Sequence, residues 1–182
     1  MRHGAETVDY LDVDQARLRI AESLGVTCHD IAVTKRRRGA LPRRDYDVAI
    51  EASSSAAGLD AALRNLAPGG ACRPVGYYAA LGAKVPLMHM YANDATLRIG
   101  VSHVRPVLPA VLDFLATTGF PAETVTTMTA DWEDAAAAYA TRTTKLVLQR
   151  PRTVSTKKRL RVVRPPIETD LYIWAQTILV CR

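Results

Sequence analysis

Short apolar runs alternate along this chain with stretches whose apolar residues recur every three or four positions. Residues 6–12 form the first run, and it ends in Asp12. Asp14 follows as a helix N-cap, since its carboxylate can accept the unpaired N–H groups of a first turn. Leu18, Ala21 and Leu24, with Ile20, supply the apolar face of that helix, and Gly25 stops it. Thr27 to Val33 holds a short strand. Tyr46 to Ala52 is a clear one, and its continuous Val48-Ala49-Ile50 run suits a strand covered on both faces, as in a parallel sheet. Ser55 is the next candidate cap. Leu59, Ala62, Leu63 and Leu66 sit at i, i+3, i+4 and i+7, and Pro68-Gly69-Gly70 is predicted to end that helix. Ala71 to Tyr77 and Ala95 to Val101 predict further strands, with a less regular stretch between them. Leu108, Val111, Leu112 and Leu115 repeat the helical stripe between Pro106 and Gly119. This alternation predicts an α/β fold on a parallel sheet.

From about residue 120 the rhythm changes. Glu123 to Met128 reads as extended, and Asp131 as the cap of a helix with Trp132, Ala135, Ala136 and Tyr139 on its apolar face. Lys145 to Leu148 predicts a last strand. Beyond Arg150 the chain turns basic, breaks at Pro165-Pro166 and becomes apolar from Leu171 to Val180.

Charge sharpens this division. Residues 1–150 carry 17 Lys and Arg against 16 Asp and Glu, whereas residues 151–182 carry seven against two. The overall net charge of +6 is therefore mostly a property of the tail, and nucleic acid is not favoured as a partner of the body. A second cluster, Lys35 to Arg44, holds six cations around Gly39 and Pro42 and reads as a loop. The three cysteines are scattered and odd in number, which predicts no disulfide framework and a reducing cytoplasmic location. No apolar run approaches a membrane span, and no signal-peptide pattern opens the chain.

Seven pieces, in order, resemble the zinc-containing medium-chain alcohol dehydrogenases. They are Val8-Asp9-Tyr10-Leu11-Asp12 with Ala21-Glu22-Ser23-Leu24-Gly25; Asp45 to Ala52; Leu66-Ala67-Pro68-Gly69-Gly70; Val75-Gly76; Thr96-Leu97-Arg98-Ile99-Gly100; Asp131 to Ala136; and Lys145 to Leu148. The resemblance implies a Rossmann sheet from its second strand onward over residues 1–117, and a return helix and strand of the catalytic domain over 118–150. The tail 151–182 matches nothing in the family. The family's zinc ligands, glycine-rich phosphate turn and first strand have no counterpart here. After Glu51-Ala52-Ser53 the family has glycine, and this chain has Ser54. The implied function is that of a C-terminal portion of an alcohol-dehydrogenase-like oxidoreductase, inactive alone, with residual NAD affinity and no zinc of its own. The alternative is a non-enzymatic module that binds nucleic acid or protein through the basic tail.

Asp12 is the leading site residue: at that position a carboxylate accepts the adenosine-ribose hydroxyls and favours NAD over NADP. Arg17 lies one helical turn beyond the cap; the resemblance implies a basic residue near the adenosine ribose there, while the residue alone reads as a solvated arginine. The resemblance places the ends of two strands, Val75-Gly76 and Ile99-Gly100, beside the nicotinamide. No catalytic residue is assigned. His89 and His103 lack metal-ligand spacing, Ser53 to Ser55 suits a helix cap better than a nucleophile, and Asp131, Glu133 and Asp134 suit a helix N-terminus. A Rossmann sheet without its first strand has an empty centre, and each buried unpaired backbone group there costs roughly 1–3 kcal/mol. The expected outcomes are a rearranged sheet, a second copy or an N-terminal half that supplies a strand, or a poorly stable chain.

Overall fold

The computed structural model describes residues 4–34, 44–78, 82–102, 104–150 and 178–181. The chain divides into two units, Met1–Pro121 with Ile173–Arg182, and Ala122–Tyr172.

The first unit is built on a six-stranded sheet. Strand β1 (Val8–Asp12) leads through helix α1 (Gln15–Ser23) to β2 (Thr27–Asp30) and a single helical turn, α2 (Ile31–Thr34). Asp14 caps α1 as expected, accepting from the amides of Ala16 and Arg17. Gly25 follows α1 with φ +82°, a conformation that glycine adopts without steric cost. Strand β3 (Tyr46–Glu51), helix α3 (Ala56–Arg64), strand β4 (Leu66–Pro74), helix α4 (Leu87–Ala92), the two-residue strand β5 (Thr96–Leu97) and helix α5 (Val104–Thr118) complete the alternation.

Two boundaries differ from the sequence expectation. Helix α3 closes at Asn65, so Leu66 to Gly70 belong to β4 and not to a helix end. Leu66 is buried all the same, because Tyr46 on β3 takes it as a ladder partner. Strand β5 covers only Thr96 and Leu97 of the run predicted over Ala95 to Val101. Its two residues pair with Ala71 and Cys72, and the chain then leaves the sheet.

The strand order is β2-β1-β8-β3-β4-β5, where β8 is Ile178–Cys181. Strands β1 and β2 are parallel, as are β3, β4 and β5. Strand β8 lies between β1 and β3 and runs antiparallel to both. Its Leu179 pairs with Tyr10 on one side and Ile50 on the other. The sheet is thus the rearranged one: an apolar segment beyond Pro165-Pro166 satisfies the inner edges of both halves.

The core lies on the α3 side of this sheet. Leu11, Tyr46, Ala49, Leu59, Ala62, Leu63, Leu66 and Cys72 form one buried cluster. Side chains such as Leu63, with 0% exposure, each contribute about 1.5–3 kcal/mol by leaving water. The stripe of α5 is formed but not covered. No residue of that helix is buried, and Leu108 and Leu112 are about half exposed. Periodicity sets the helix, whereas burial needs a facing surface.

The second unit contains a two-stranded parallel sheet of β6 (Met128–Asp131) and β7 (Leu146–Gln149), with helix α6 (Ala135–Tyr139). Turns of 3-10 helix at Ala122–Val125 and Trp132–Asp134 replace the extended piece and the first helical turn that the sequence suggests. Asp131 makes no side-chain cap bond, and Ala138, not Trp132 or Tyr139, is the buried residue. The Arg150 guanidinium sits over the Trp132 ring at 4.2 Å from its centroid.

Candidate functional site

Asp12 ends β1 at the carboxyl edge of the sheet, the edge at which ligands bind in open α/β folds. Its side chain is fully buried. Oδ1 accepts from the amides of Val13 at 2.7 Å and Asp14 at 3.0 Å. Arg17 donates from Nε to Oδ2 and from Nη2 to Oδ1, both at 2.7 Å, and the Tyr10 hydroxyl donates to Oδ2 at 3.1 Å. The hydrogen bond from Arg17 to Asp12 raises the arginine's pKa against the opposing effect of burial. The two adenosine-end candidates are therefore joined to each other.

Val75, Gly76, Ile99 and Gly100 meet at the other end of the sheet edge. All four line one cleft of about 1020 Å³ beyond the carboxyl ends of β4 and β5. A Cβ on Gly76 would lie 2.7 Å from Ser54 Oγ and 2.8 Å from Ser54 N, so only glycine fits there. A Cβ on Gly100 would meet nothing within 4 Å. Gly76 is thus a packing requirement, whereas Gly100 leaves the cleft open.

Ser54 explains the first of these contacts. It stands where the family has glycine, and its φ of +54° is a left-handed conformation that costs a non-glycine residue on the order of 1 kcal/mol. Its Oγ accepts from the Tyr77 amide at 2.9 Å, which ties this turn to the cleft wall.

Glu51 is the site feature that sequence reasoning missed. It is fully buried at the end of β3. Oε1 accepts from the amide of Ser53 at 2.6 Å and from its hydroxyl, and Oε2 accepts from the Tyr78 hydroxyl. The Glu51 carbonyl accepts from Val75 N at 2.7 Å and Gly76 N at 3.1 Å. One residue therefore anchors both the cleft wall and a tyrosine that lines it. Burial, reinforced by the bond to Glu51, raises the Tyr78 pKa, so its hydroxyl stays protonated and donates. Burial also pushes the Cys72 thiol up to about 12. A carboxylate following the apolar Val48-Ala49-Ile50 run at the end of β3 was the available signal. The Asp9 carboxylate, nearly buried, lies 2.7 Å from His29 Nε2 and accepts from the Tyr46 hydroxyl at 2.8 Å.

The remaining candidates separate. Ser55 caps α3, accepting from the Gly58 amide at 3.0 Å. His89 lies on α4, with its Nε2 buried and without a hydrogen-bond partner among the described residues. His103 and the cationic residues 35–43 lie outside the described residues. Among the described residues, no group of three His, Cys, Asp or Glu side chains could hold a metal ion.

The fold that carries these residues resembles that of known proteins. Over 139 residues the chain is 28% identical to a protein of Mycobacterium tuberculosis named as a probable zinc-binding alcohol dehydrogenase, covering 76% of this chain. An alcohol dehydrogenase of Thermus sp. ATN1 superposes with a TM-score of 0.66 at 28% identity, over 78% of this chain and 43% of the other. The chain is similar to zinc-binding alcohol dehydrogenases. It spans 36% of the length of the mycobacterial relative. No family model matches it. A structure from Sinorhizobium meliloti, assigned as a zinc-binding dehydrogenase and bound to NADP, shares the fold. Its TM-score is 0.69 at 15% identity, over 80% of this chain and 45% of that one. The α/β fold of the chain is thus shared with these dehydrogenases. Among the described residues, no helix is long and apolar enough to cross a membrane.

Proposed function

We propose that the first unit is the dinucleotide-holding part of an alcohol-dehydrogenase-like oxidoreductase, with NAD as its cofactor, and that this chain does not turn over alcohols alone. The observation that carries this reading is the convergence of Val75, Gly76, Ile99 and Gly100, from two strand ends, on one cleft at the carboxyl edge. That edge is where the fold class binds dinucleotides.

Candidate contacts for the cofactor lie at two places along this edge. At the nicotinamide end, the open face at Gly100 and the backbone of Val75 and Ile99 offer a wall for a flat ring and hydrogen-bonding groups for its amide. At the adenosine end, the joined Asp12–Arg17 pair is the proposed contact for the ribose diol. A 2′-phosphate beside the Asp12 carboxylate is repelled, which is the basis for NAD over NADP. When bound, the nicotinamide supplies hydride transfer. The chain's residues orient the ring, and Glu51 keeps the cleft wall in place. Zinc does not fit the described residues, and no step is assigned to it.

Titration of NADH into the purified chain, followed by nicotinamide fluorescence, tests this reading. Saturable binding that weakens in Asp12→Ala supports it, as does weaker binding of NADPH. Absence of NADH binding overturns the cofactor assignment, and alcohol turnover by the purified chain overturns the claim of inactivity. The basic-tail module has no comparable support, because the similarities are to dehydrogenases and residues 151–177 lie outside the described ones.

A further inference from the structure

Two arginines line the same cleft and have no part in the cofactor reading. Cys72 on β4 is the ladder partner of Leu97 on β5. Cys72 is fully buried in the core, and Leu97 packs against that core. Arg73 is the next residue of β4, and Arg98 is the first residue beyond β5. Side chains alternate faces along a strand, so Arg73 turns away from the face that buries Cys72, and Arg98 follows directly where the chain leaves β5. The Arg98 amide still donates to the Cys72 carbonyl at 3.0 Å, which keeps the two chains in step at this point. Both arginines are exposed, and both line the cleft.

Their charges are unanswered. No Asp or Glu is among the cleft-lining residues. Neither arginine forms a salt bridge among the described residues. Two like charges lining one cleft repel, and a bound anion relieves that repulsion. Guanidinium groups suit carboxylate and phosphate because their parallel N–H groups match two oxygens. The rest of the wall is different in character: Val75 and Ile99 are 67% and 71% exposed, and Tyr77 and Tyr78 stand beside them. The complementary ligand has an anionic group at one end and an apolar body at the other.

We propose that Arg73 and Arg98 hold the anionic group of the substrate, so the substrate class is an alcohol or carbonyl compound that carries a carboxylate or phosphate. The assignment to a substrate rests on the dehydrogenase reading of the cleft. The anion site itself does not. The cofactor is the other possible source of an anion, through its pyrophosphate.

Calorimetric titration of the full chain with inorganic phosphate, at ionic strength balanced with sodium chloride, tests the site. Phosphate is expected to bind the unaltered chain, and Arg73→Gln and Arg98→Gln each to weaken it by about tenfold or more, as for loss of a charge-assisted hydrogen bond. The double variant is expected to bind none. Arg98→Lys retains the charge and is expected to keep most of the affinity, which separates charge from packing. Unchanged phosphate binding in the double variant, or none in the unaltered chain, overturns the site. NADH titration of the double variant separates the two sources. Retained NADH affinity supports the substrate assignment, and its loss in parallel with phosphate overturns that assignment. If NADH fails to bind even the unaltered chain, the dehydrogenase reading fails while the phosphate result stands.

Discussion

Arg17 grips the Asp12 carboxylate side-on, with Nε and Nη2 each 2.7 Å from a different oxygen. Asp12 has no exposed side-chain surface and Arg17 has 14%. The pair therefore joins a fully buried carboxylate to a partly buried guanidinium, and the amides of Val13 and Asp14 complete the carboxylate's bonds.

Removing one partner strands a buried charge. Arg17→Ala is expected to cost about 3–5 kcal/mol in urea denaturation, whereas adding Asp12→Asn to it should recover part of that loss. A loss below about 1 kcal/mol in Arg17→Ala would show that solvent screens the pair as it does at a surface.

Strand β8 makes a second prediction. Leu179 pairs with both Tyr10 and Ile50, so it belongs to two ladders at once. Leu179→Pro removes its N–H and leaves a facing carbonyl unpaired, at a cost of roughly 1–3 kcal/mol. Hydrogen exchange should quicken at the amides of β1 and β3 together. Faster exchange in only one of these strands would contradict a shared slot.

The two cleft glycines should respond in opposite ways. Gly76→Ala places a Cβ against Ser54 backbone and is expected to destabilise by about 1–3 kcal/mol. Gly100→Ala meets open space and should leave thermal stability within about 0.5 kcal/mol while weakening NADH binding. Equal stability losses in the two variants would reject the contrast.

Cys72 carries a pH dependence. Its thiol is pushed from 9.0 up to about 12, first by burial and then by the Glu51 charge. The folded chain holds this proton longer than the unfolded chain. This contribution to stability is complete below pH 9 and is lost as pH rises toward 12. Equilibrium denaturation across that window should show smaller decline in Cys72→Ala than in the unaltered chain. At pH 8, iodoacetamide should label Cys72 only as fast as the chain opens. Rapid native-state labelling would contradict its burial.

The local elements were legible because their causes are local. Asp14 and Ser55 cap the helices that follow them, since a cap needs only its own turn. The α3 stripe is read directly from spacing, and Leu59, Ala62 and Leu63 are buried. Leu66 kept its burial and lost its helix, because a strand partner across the sheet outweighed periodicity. The α5 stripe kept its helix and lost its burial.

By itself, the sequence determined the α/β alternation, the caps at Asp14 and Ser55, the acid that ends β1 and the likeness to zinc-binding alcohol dehydrogenases. Each follows from side-chain period, short-range hydrogen bonding or residue order. Only the tertiary structure decided that β8 lies between β1 and β3, that Arg17 engages Asp12 on both oxygens, and that Glu51 joins Tyr78 to the cleft wall. It also decided that Arg73 and Arg98 line one cleft. These depend on strand register and on which edges meet, and backbone groups pair across a sheet with little regard for the side chains beside them.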